Sequence, residues 1–227
     1  MFIKGELKVK VCGITRPADA EAAMEAGADI LGLILCKSKR QITLKTAKKI
    51  VDTVAGRIPV ALVFQNQPPS AVNEATAALR HDFVQLHGYE TPEYIKALDS
   101  RAQVLKGIEY APGGRVDLES LQAFARQVDH ILLDVSKGSA TITHEERVQT
   151  LNALVAAHPL ILERAFIAGR IQPLEIESLA KAFSPYGIDL CSSLEERPGI
   201  KSLEKLKQLK IAMTRIKETG GPATSQP

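Results

Sequence analysis

The sequence has few aromatic residues and only one short basic cluster. Trp is absent, and Phe, Trp and Tyr together make up 4% of the 227 residues. Proteins that bind single-stranded nucleic acid stack bases on such side chains. The net charge is only +3, and the basic cluster is limited to Lys37-Ser38-Lys39-Arg40. We therefore expect no nucleic-acid partner.

Cysteine and long apolar runs are also scarce. The three cysteines, Cys12, Cys36 and Cys191, are an odd and small number, which is not typical of a disulfide framework and indicates a reducing compartment. No apolar run reaches the length of a membrane span, and residues 1–6 lack the layout of a signal peptide. We expect a cytoplasmic protein without membrane contact.

What the sequence does contain is a regular alternation of strand-like and helix-like segments. Hydrophobic residues make up 45% of the chain and charged residues 24%, which is enough for a full core. Apolar runs such as Ile30–Leu35 are typical of strands covered on both faces. The predicted strands are 8–12, 30–35, 59–64, 82–87, 103–108, 130–134, a segment within 160–168, and 187–192. The predicted helices are 17–26, 43–54, 69–79, 91–98, 117–127, 144–157, 174–183 and 203–216.

This alternation determines the predicted fold class. Strands that alternate with helices pair in parallel through right-handed crossovers. Eight such units in this length predict an α/β protein, a single closed (β/α)₈ barrel, with an open doubly wound sheet as the alternative. We assign residues 1–216 to one barrel domain. Residues 217–227 are rich in small residues and helix breakers, so we expect a disordered tail.

The carboxyl ends of the strands carry the residues suited to chemistry. In a barrel of this type the active site lies at that end. A thiol (Cys12), an imidazole (His87) and a carboxylate (Asp134) each end a predicted strand. Gly13 allows the backbone to turn directly after the thiol. A free cysteine can also be a small buried core residue, and that interpretation stays open for Cys12.

Four motifs together resemble the phosphoribosylanthranilate isomerase family, the isomerases of tryptophan biosynthesis. They are Val11-Cys12-Gly13-Ile14-Thr15, Gln85-Leu86-His87-Gly88, Leu132-Leu133-Asp134 and Tyr186-Gly187-Ile188-Asp189, and the resemblance covers about residues 8–209. It implies a TIM barrel that catalyses an Amadori rearrangement, the conversion of an N-aryl aminoaldose phosphate into an aminoketose. It implies a small phosphorylated substrate and neither a cofactor nor a metal.

The resemblance also implies an acid–base pair. Cys12 would be the general base, which takes the proton from C2′ of the sugar. Asp134 would be the general acid, which protonates the ring oxygen so that the ring opens. An unperturbed thiol titrates near about 8.5 and an aspartate near about 3.9. The pKa of the thiol must therefore be lowered, and that of the carboxyl raised, for the two groups to act at neutral pH.

Other residues match substrate-binding positions of the family. Arg40 would hold the anthranilate carboxylate, since a guanidinium fork suits that group; an ordinary solvated charge is the alternative. Gln85 and His87 would line the pocket, although His87 could instead be structural.

The loops that resemble the phosphate site depart from the family pattern. Where the family has glycine-rich loops after the sixth, seventh and eighth strands, this chain has Ser139-Ala140, Arg170 and Ser193. Gly169, Asp189 and Ser192 still match. Arg170 would either supply a cation to the phosphate or fill the phosphate site.

These departures leave alternatives open. One is a divergent paralogue that acts on another aminosugar or sugar phosphate, and another is a catalytically weak binding or assembly subunit. A soft-metal site formed by the three thiols is a minor alternative to a metal-free site. The oligomeric state is left open between monomer and homodimer.

Overall fold

A closed barrel of parallel strands forms the centre of the molecule. The computed structural model describes residues 6–99, 101–109, 121, 124, 126–134 and 142–218. Each of the eight strands pairs with the next along the chain, and β8 closes the barrel against β1. The strands are β1 Lys8–Cys12, β2 Ile30–Ile34, β3 Val60–Phe64, β4 Phe83–Leu86, β5 Gln103–Glu109, β6 His130–Asp134, β7 Ala165–Ala168 and β8 Gly187–Leu190. The closed barrel is confirmed, and the open sheet is wrong.

Helices follow the strands, and some of them begin at a threonine side chain that caps the first turn. They are α1 Pro17–Glu25, α2 Leu44–Val54, α3 Pro69–Ala78, α4 Pro92–Lys96, α5 His144–Ala157, α6 Ile176–Phe183 and α7 Leu203–Glu218. The Thr43 side chain accepts a hydrogen bond from the Thr46 N–H at the start of α2, and Thr143 forms a capping box with Glu146 at the start of α5. Most of the predicted helix 117–127 lies outside the described residues.

Two hydrophobic layers pack on the two faces of the barrel wall. Residues that point outward, such as Val9, Val11 and Leu31, pack beneath the helices. Residues that point inward fill the barrel itself, and they include Ile30, Ala61, Phe83, Leu105, Leu132 and Phe166. Successive side chains of a strand point to opposite faces, so one short apolar run contributes residues to both layers. The inside of the barrel is therefore a packed core, and the active site is expected above it, at the carboxyl ends of the strands.

The structure corrects several predicted boundaries. Strand β8 ends at Leu190 rather than at 192, and a 3₁₀ turn, Ser192–Leu194, follows it. A 3₁₀ turn, Ile161–Arg164, occupies the first part of the segment in which the seventh strand was expected. The last helix continues to Glu218, two residues beyond 216. The expected tail was 217–227, and all of it except these two helical residues lies outside the described residues.

A short hairpin after β8 was not predicted. Strands β9 Glu195–Arg197 and β10 Ile200–Lys201 pair antiparallel across a turn in which Gly199 has φ +82°. Strands of two or three residues leave no periodic signal, so only Pro198-Gly199 marked a turn in the sequence. None of the helices in the described part of the chain has both the length and the hydrophobicity needed to cross a lipid bilayer.

Candidate active site

Cys12 is the last residue of β1, and its thiol lies over the neighbouring strand. Only 5% of the residue is exposed. A Cβ atom added at Gly32 of β2 would lie 2.7 Å from the Cys12 sulfur, so this glycine provides the space that the thiol occupies. A hydrogen bond from Cys191 lowers the pKa of the Cys12 thiol to about 6, and the nearby ammonium groups of Lys10 and Lys201 act in the same direction. Burial and the Asp189 carboxylate oppose this shift.

A buried ion pair lies inside the barrel below this thiol. Lys10 Nζ is 2.8 Å from Asp189 Oδ1, and the Lys10 side chain is 0% exposed. Burial disfavours the ammonium, but Asp189 and Cys12 outweigh that penalty and raise the pKa of Lys10. Lys10 was not among the predicted site residues. Its spacing from Cys12 could have indicated a role, because residues two apart on a strand point to the same face.

Asp134 ends β6 on the opposite side of the barrel rim, together with His87. The Asp134 carboxylate follows three strand residues that are fully buried, 131–133. His87 Nε2 lies 3.7 Å from Asp134 Oδ2, which is too long for a direct hydrogen bond. The Gln85 amide nitrogen lies 3.1 Å from His87 Nδ1. When that amide donates, the His87 proton is on Nε2, which faces the carboxylate.

Space for the His87 ring comes from the next strand. A Cβ atom added at Gly107 would lie 2.7 Å from His87 Nδ1. Gln85 is buried in β4, with 2% of the residue exposed. The structure therefore brings Gln85, His87 and Asp134 together as a chain of polar side chains across three neighbouring strands, β4, β5 and β6.

Arg40 crosses the rim beside Cys12 and binds a carboxylate of the protein itself. Its Nε and Nη2 lie 2.7 and 2.6 Å from the two oxygens of Glu195. A Cβ atom at Gly13 would lie 2.7 Å from Arg40 Cδ and 3.0 Å from the Cys191 sulfur, so both side chains pack on this glycine. The pairing with Glu195 was not predicted. It leaves the Nη1 group of Arg40 without a hydrogen bond to the described residues.

Lys201, which lies on the unpredicted hairpin, binds the backbone at the ends of both β1 and β8. Its buried ammonium donates to the carbonyl oxygens of Cys12 at 2.6 Å and Cys191 at 3.1 Å, and it lies 3.5 Å from Glu195 Oε1. Burial alone would raise the pKa of Glu195, but Arg40 and Lys201 hold it below its usual value. Sequence reasoning missed Glu195 and Lys201, because their partners are fixed only when the barrel closes.

Of the residues matched to a phosphate site, Gly169, Arg170 and Ser192 lie in the loops after β7 and β8, whereas Asp189 lies within β8. Gly169 has φ +110° and Arg170 has φ +54°. Arg170 thus adopts a left-handed conformation that favours glycine. Arg170 and Ser192 are exposed, whereas Ser193 is buried. The altered loop at 137–141 lies outside the described residues.

The three thiols do not form a metal site. Cys12 and Cys36 are buried in one small apolar cluster with Ile34 and Val63, and Cys191 packs against it. Within the described ranges, no group of three or more His, Cys, Asp or Glu side chains has the geometry to hold a metal ion. The chemistry available at this rim is therefore that of a thiolate with a low pKa on one side and a carboxyl group beside an imidazole on the other.

Comparison with known proteins identifies relatives over nearly the whole chain. The family described as N-(5'phosphoribosyl)anthranilate (PRA) isomerase matches residues 9–210. The N-(5'-phosphoribosyl)anthranilate isomerase of Pelobacter propionicus is 33% identical over 220 residues, which cover 96% of this chain and 99% of that protein. The isomerase of Bacillus cereus strain ZK is 32% identical over 207 residues, which cover 90% and 97% of the two chains.

Solved structures agree with these relatives. The phosphoribosyl anthranilate isomerase of Thermus thermophilus has a TM-score of 0.76 and 32% identity, and the match covers 92% of this chain and 100% of that one. A phosphoribosyl anthranilate isomerase in complex with reduced 1-(o-carboxyphenylamino)-1-deoxyribulose 5-phosphate has a TM-score of 0.77 and 25% identity, with coverage of 92% and 100%.

Proposed function

The chain belongs to the N-(5'-phosphoribosyl)anthranilate isomerase family, and we propose on that premise how its own residues perform the Amadori rearrangement. The reaction converts N-(5'-phosphoribosyl)anthranilate into 1-(2-carboxyphenylamino)-1-deoxyribulose 5-phosphate, a step of tryptophan biosynthesis. The observation that carries the assignment of roles is a buried thiol at the end of β1, with the ammonium groups of Lys10 and Lys201 close to it. The family relationship favours this substrate over another aminosugar or a non-catalytic role.

Cys12 is the general base of the proposal. At neutral pH a thiol with a pKa of about 6 is mostly thiolate, and a thiolate can accept the C2′ proton once the sugar ring has opened. Removal of that proton converts the iminium ion into an enolamine. The enolamine then takes a proton at C1′ and loses the proton of the C2′ hydroxyl, which gives the ketone. The overall change is therefore an isomerisation and needs no external oxidant.

Asp134 is the general acid that opens the ring. It stands at the end of β6, and β7 and β8 lie between it and β1 in the barrel. A sugar bound over the barrel can therefore present its ring oxygen to Asp134 and its C2′ proton to Cys12 from different directions. His87 lies close enough to the carboxyl group, at 3.7 Å, to flank the same substrate atoms, and Gln85 fixes the orientation of the imidazole.

Arg40 holds the anthranilate carboxylate in this proposal. Its pairing with Glu195 uses two of its N–H donors and fixes the plane of the guanidinium. A guanidinium carries five N–H donors, so those on Nη1 can still bind a second carboxylate in the same plane. Arg40 lies over Gly13, next to Cys12, so in this proposal the aryl end of the substrate binds beside the base.

The phosphate end of the substrate lies at the loops after β7 and β8. Backbone N–H groups near Gly169 and Ser192 bind the phosphate oxygens, as glycine-rich loops of barrels commonly do. Arg170 adds a cation to this site, and Asp189 supports the loop after β8 through its bond to Lys10. We place the reaction in the cytoplasm, with neither a cofactor nor a metal.

Steady-state conversion of N-(5'-phosphoribosyl)anthranilate tests these assignments. The wild-type protein should convert it, and Cys12→Ala and Asp134→Asn should each lose about two orders of magnitude or more in kcat. Cys36→Ala is the matched control, because it removes a buried thiol of the same cluster that has no role in the reaction. Full turnover in either site variant would remove that residue from the mechanism.

A further inference from the structure

A second thiol stands beside the proposed base. The parallel pairing of β1 with β8 sets Lys10 opposite Asp189 and Val11 opposite Leu190. One residue further along, Cys12 and Cys191 are neighbours across strands that lie about 4.8 Å apart. Because side chains alternate along a strand, both thiols lie on the side of the buried Lys10–Asp189 pair. The Cys191 sulfur also lies against Gly13, the residue that follows Cys12.

The backbone around the two thiols is held by one buried ammonium. Lys201 donates to the carbonyl oxygens of both Cys12 and Cys191, so the two strand ends keep a fixed separation. Lys201 itself is only 3% exposed. Because Lys201 bridges the two strand ends, the two sulfur atoms stay close to each other.

We propose that Cys191 is a positioning residue for the isomerase reaction, whose thiol donates a hydrogen bond to the Cys12 sulfur and holds that sulfur as the thiolate. The inference rests on the proposed role of Cys12 as the general base. Cys191 keeps its own proton throughout the reaction. The C2′ proton of the substrate goes to the Cys12 sulfur alone.

The surrounding charges determine which thiol loses its proton. Lys10 faces Cys12 from its own strand and lowers the pKa of that thiol, whereas Asp189 on β8 opposes the shift. The hydrogen bond with Cys12, together with burial, raises the pKa of Cys191 well above its usual value, and Lys201 and Arg40 only partly offset this. The pair therefore holds a single proton at neutral pH, on Cys191.

Among the residues that the structure describes, the charges that face the thiol pair come from four elements. Lys10 lies on β1, Asp189 on β8, Lys201 on β10, and Arg40 in the loop after β2. Glu195 lies behind Arg40 and Lys201 and neutralises part of their charge. The strand on the other side of Cys12 contributes only Gly32 at this level. A substitution of Cys191 changes none of these charges, so its effect on Cys12 isolates the hydrogen bond.

The test is the pH dependence of Cys12 alkylation by iodoacetamide in the free, full-length protein, followed by mass spectrometry of the Cys12 peptide. The wild-type midpoint is expected near pH 6. Cys191→Ala should raise it by about one to two pH units, the usual effect of a lost hydrogen bond to a charged group. Cys191→Ser keeps a donor and should stay near wild type. Cys36→Ser is the matched control and should not move the midpoint.

The acidic limb of the kcat/KM profile should move with the alkylation midpoint, while the plateau value of KM stays within about twofold of wild type. An unchanged midpoint in Cys191→Ala overturns the inference. So does a shift in Cys191→Ser as large as that in Cys191→Ala, because packing would then be the cause. If Cys191→Ala does not fold, Cys191→Val removes the donor at similar volume and carries the same expectation. A shifted midpoint without any change in kcat/KM refutes Cys12 as the base and leaves the hydrogen bond standing.

Discussion

Replacing Lys10 with methionine should strongly destabilise the barrel. The Lys10 ammonium is fully buried and pairs at 2.8 Å with Asp189, whose side chain is 10% exposed. Lys10→Met leaves the Asp189 carboxylate buried without its partner. Removal of one member of a buried pair typically costs about 3–5 kcal/mol. For a domain of this size that loss lowers the melting temperature by about 6–20 °C.

Urea unfolding and thermal melts measure this loss of stability. Two further variants show whether the unpaired buried charge is its cause. Lys10→Met combined with Asp189→Leu should recover most of the stability, because the unpaired charge is gone. Lys48→Met removes a pair with Asp52 on the exposed face of α2, where the two side chains are 64% and 60% exposed. That control should cost about 0.5 kcal/mol or less.

A loss of unfolding free energy in Lys10→Met no larger than that in Lys48→Met would contradict the expected effect of the buried pair. A double variant that is less stable than Lys10→Met alone would contradict it as well. A second readout follows from the same geometry: loss of the Lys10 charge should move the Cys12 alkylation midpoint above about pH 6, because Lys10 favours the thiolate while Asp189 disfavours it.

Three further predictions concern the reaction itself. Asp134→Asn should reduce turnover by at least about 100-fold, by the usual size of general acid catalysis; a substrate analogue already in the open-chain form should lose much less, and equal loss on both forms would give Asp134 a structural role. Arg170→Gly should raise the melting temperature, because glycine adopts φ +54° without strain, yet weaken phosphate binding by about 1.5–3 kcal/mol in a titration; tighter binding of phosphate by the variant would mean that Arg170 fills the site instead. The value of kcat/KM should fall tenfold per pH unit below about pH 6, because protonation removes the Cys12 thiolate; a midpoint near the ordinary thiol value of about 8.5 would contradict this.

The barrel could be predicted from the sequence because its signals are local. Runs such as Ile30–Leu35 and helix starts such as Thr43 depend on residues a few positions apart. The order of the strands then follows from the rules for parallel connections. The same reasoning placed Cys12 and Asp134 at one rim, since both end a strand.

The rest of the site depends on contacts between distant parts of the chain. Lys10 and Asp189 are 179 residues apart, and Arg40 and Glu195 are 155 apart. Closure of β8 against β1 determines the first pairing, and the hairpin after β8 supplies Glu195 for the second. Neither register is encoded in a local pattern. The family resemblance therefore indicated Arg40 as a substrate ligand, with a solvated charge as the alternative, and gave no sign of its protein partner.

The most direct test of the account follows the C2′ proton of the substrate. N-(5'-phosphoribosyl)anthranilate labelled with deuterium at C2′ is mixed with an excess of enzyme, and the loss of the label is followed by NMR. The wild-type protein should release the label as the aminoketose forms. Cys12→Ala should bind the substrate with nearly unchanged affinity but retain the label. Loss of the label from Cys12→Ala at the wild-type rate would contradict the central claim that the Cys12 thiolate is the base.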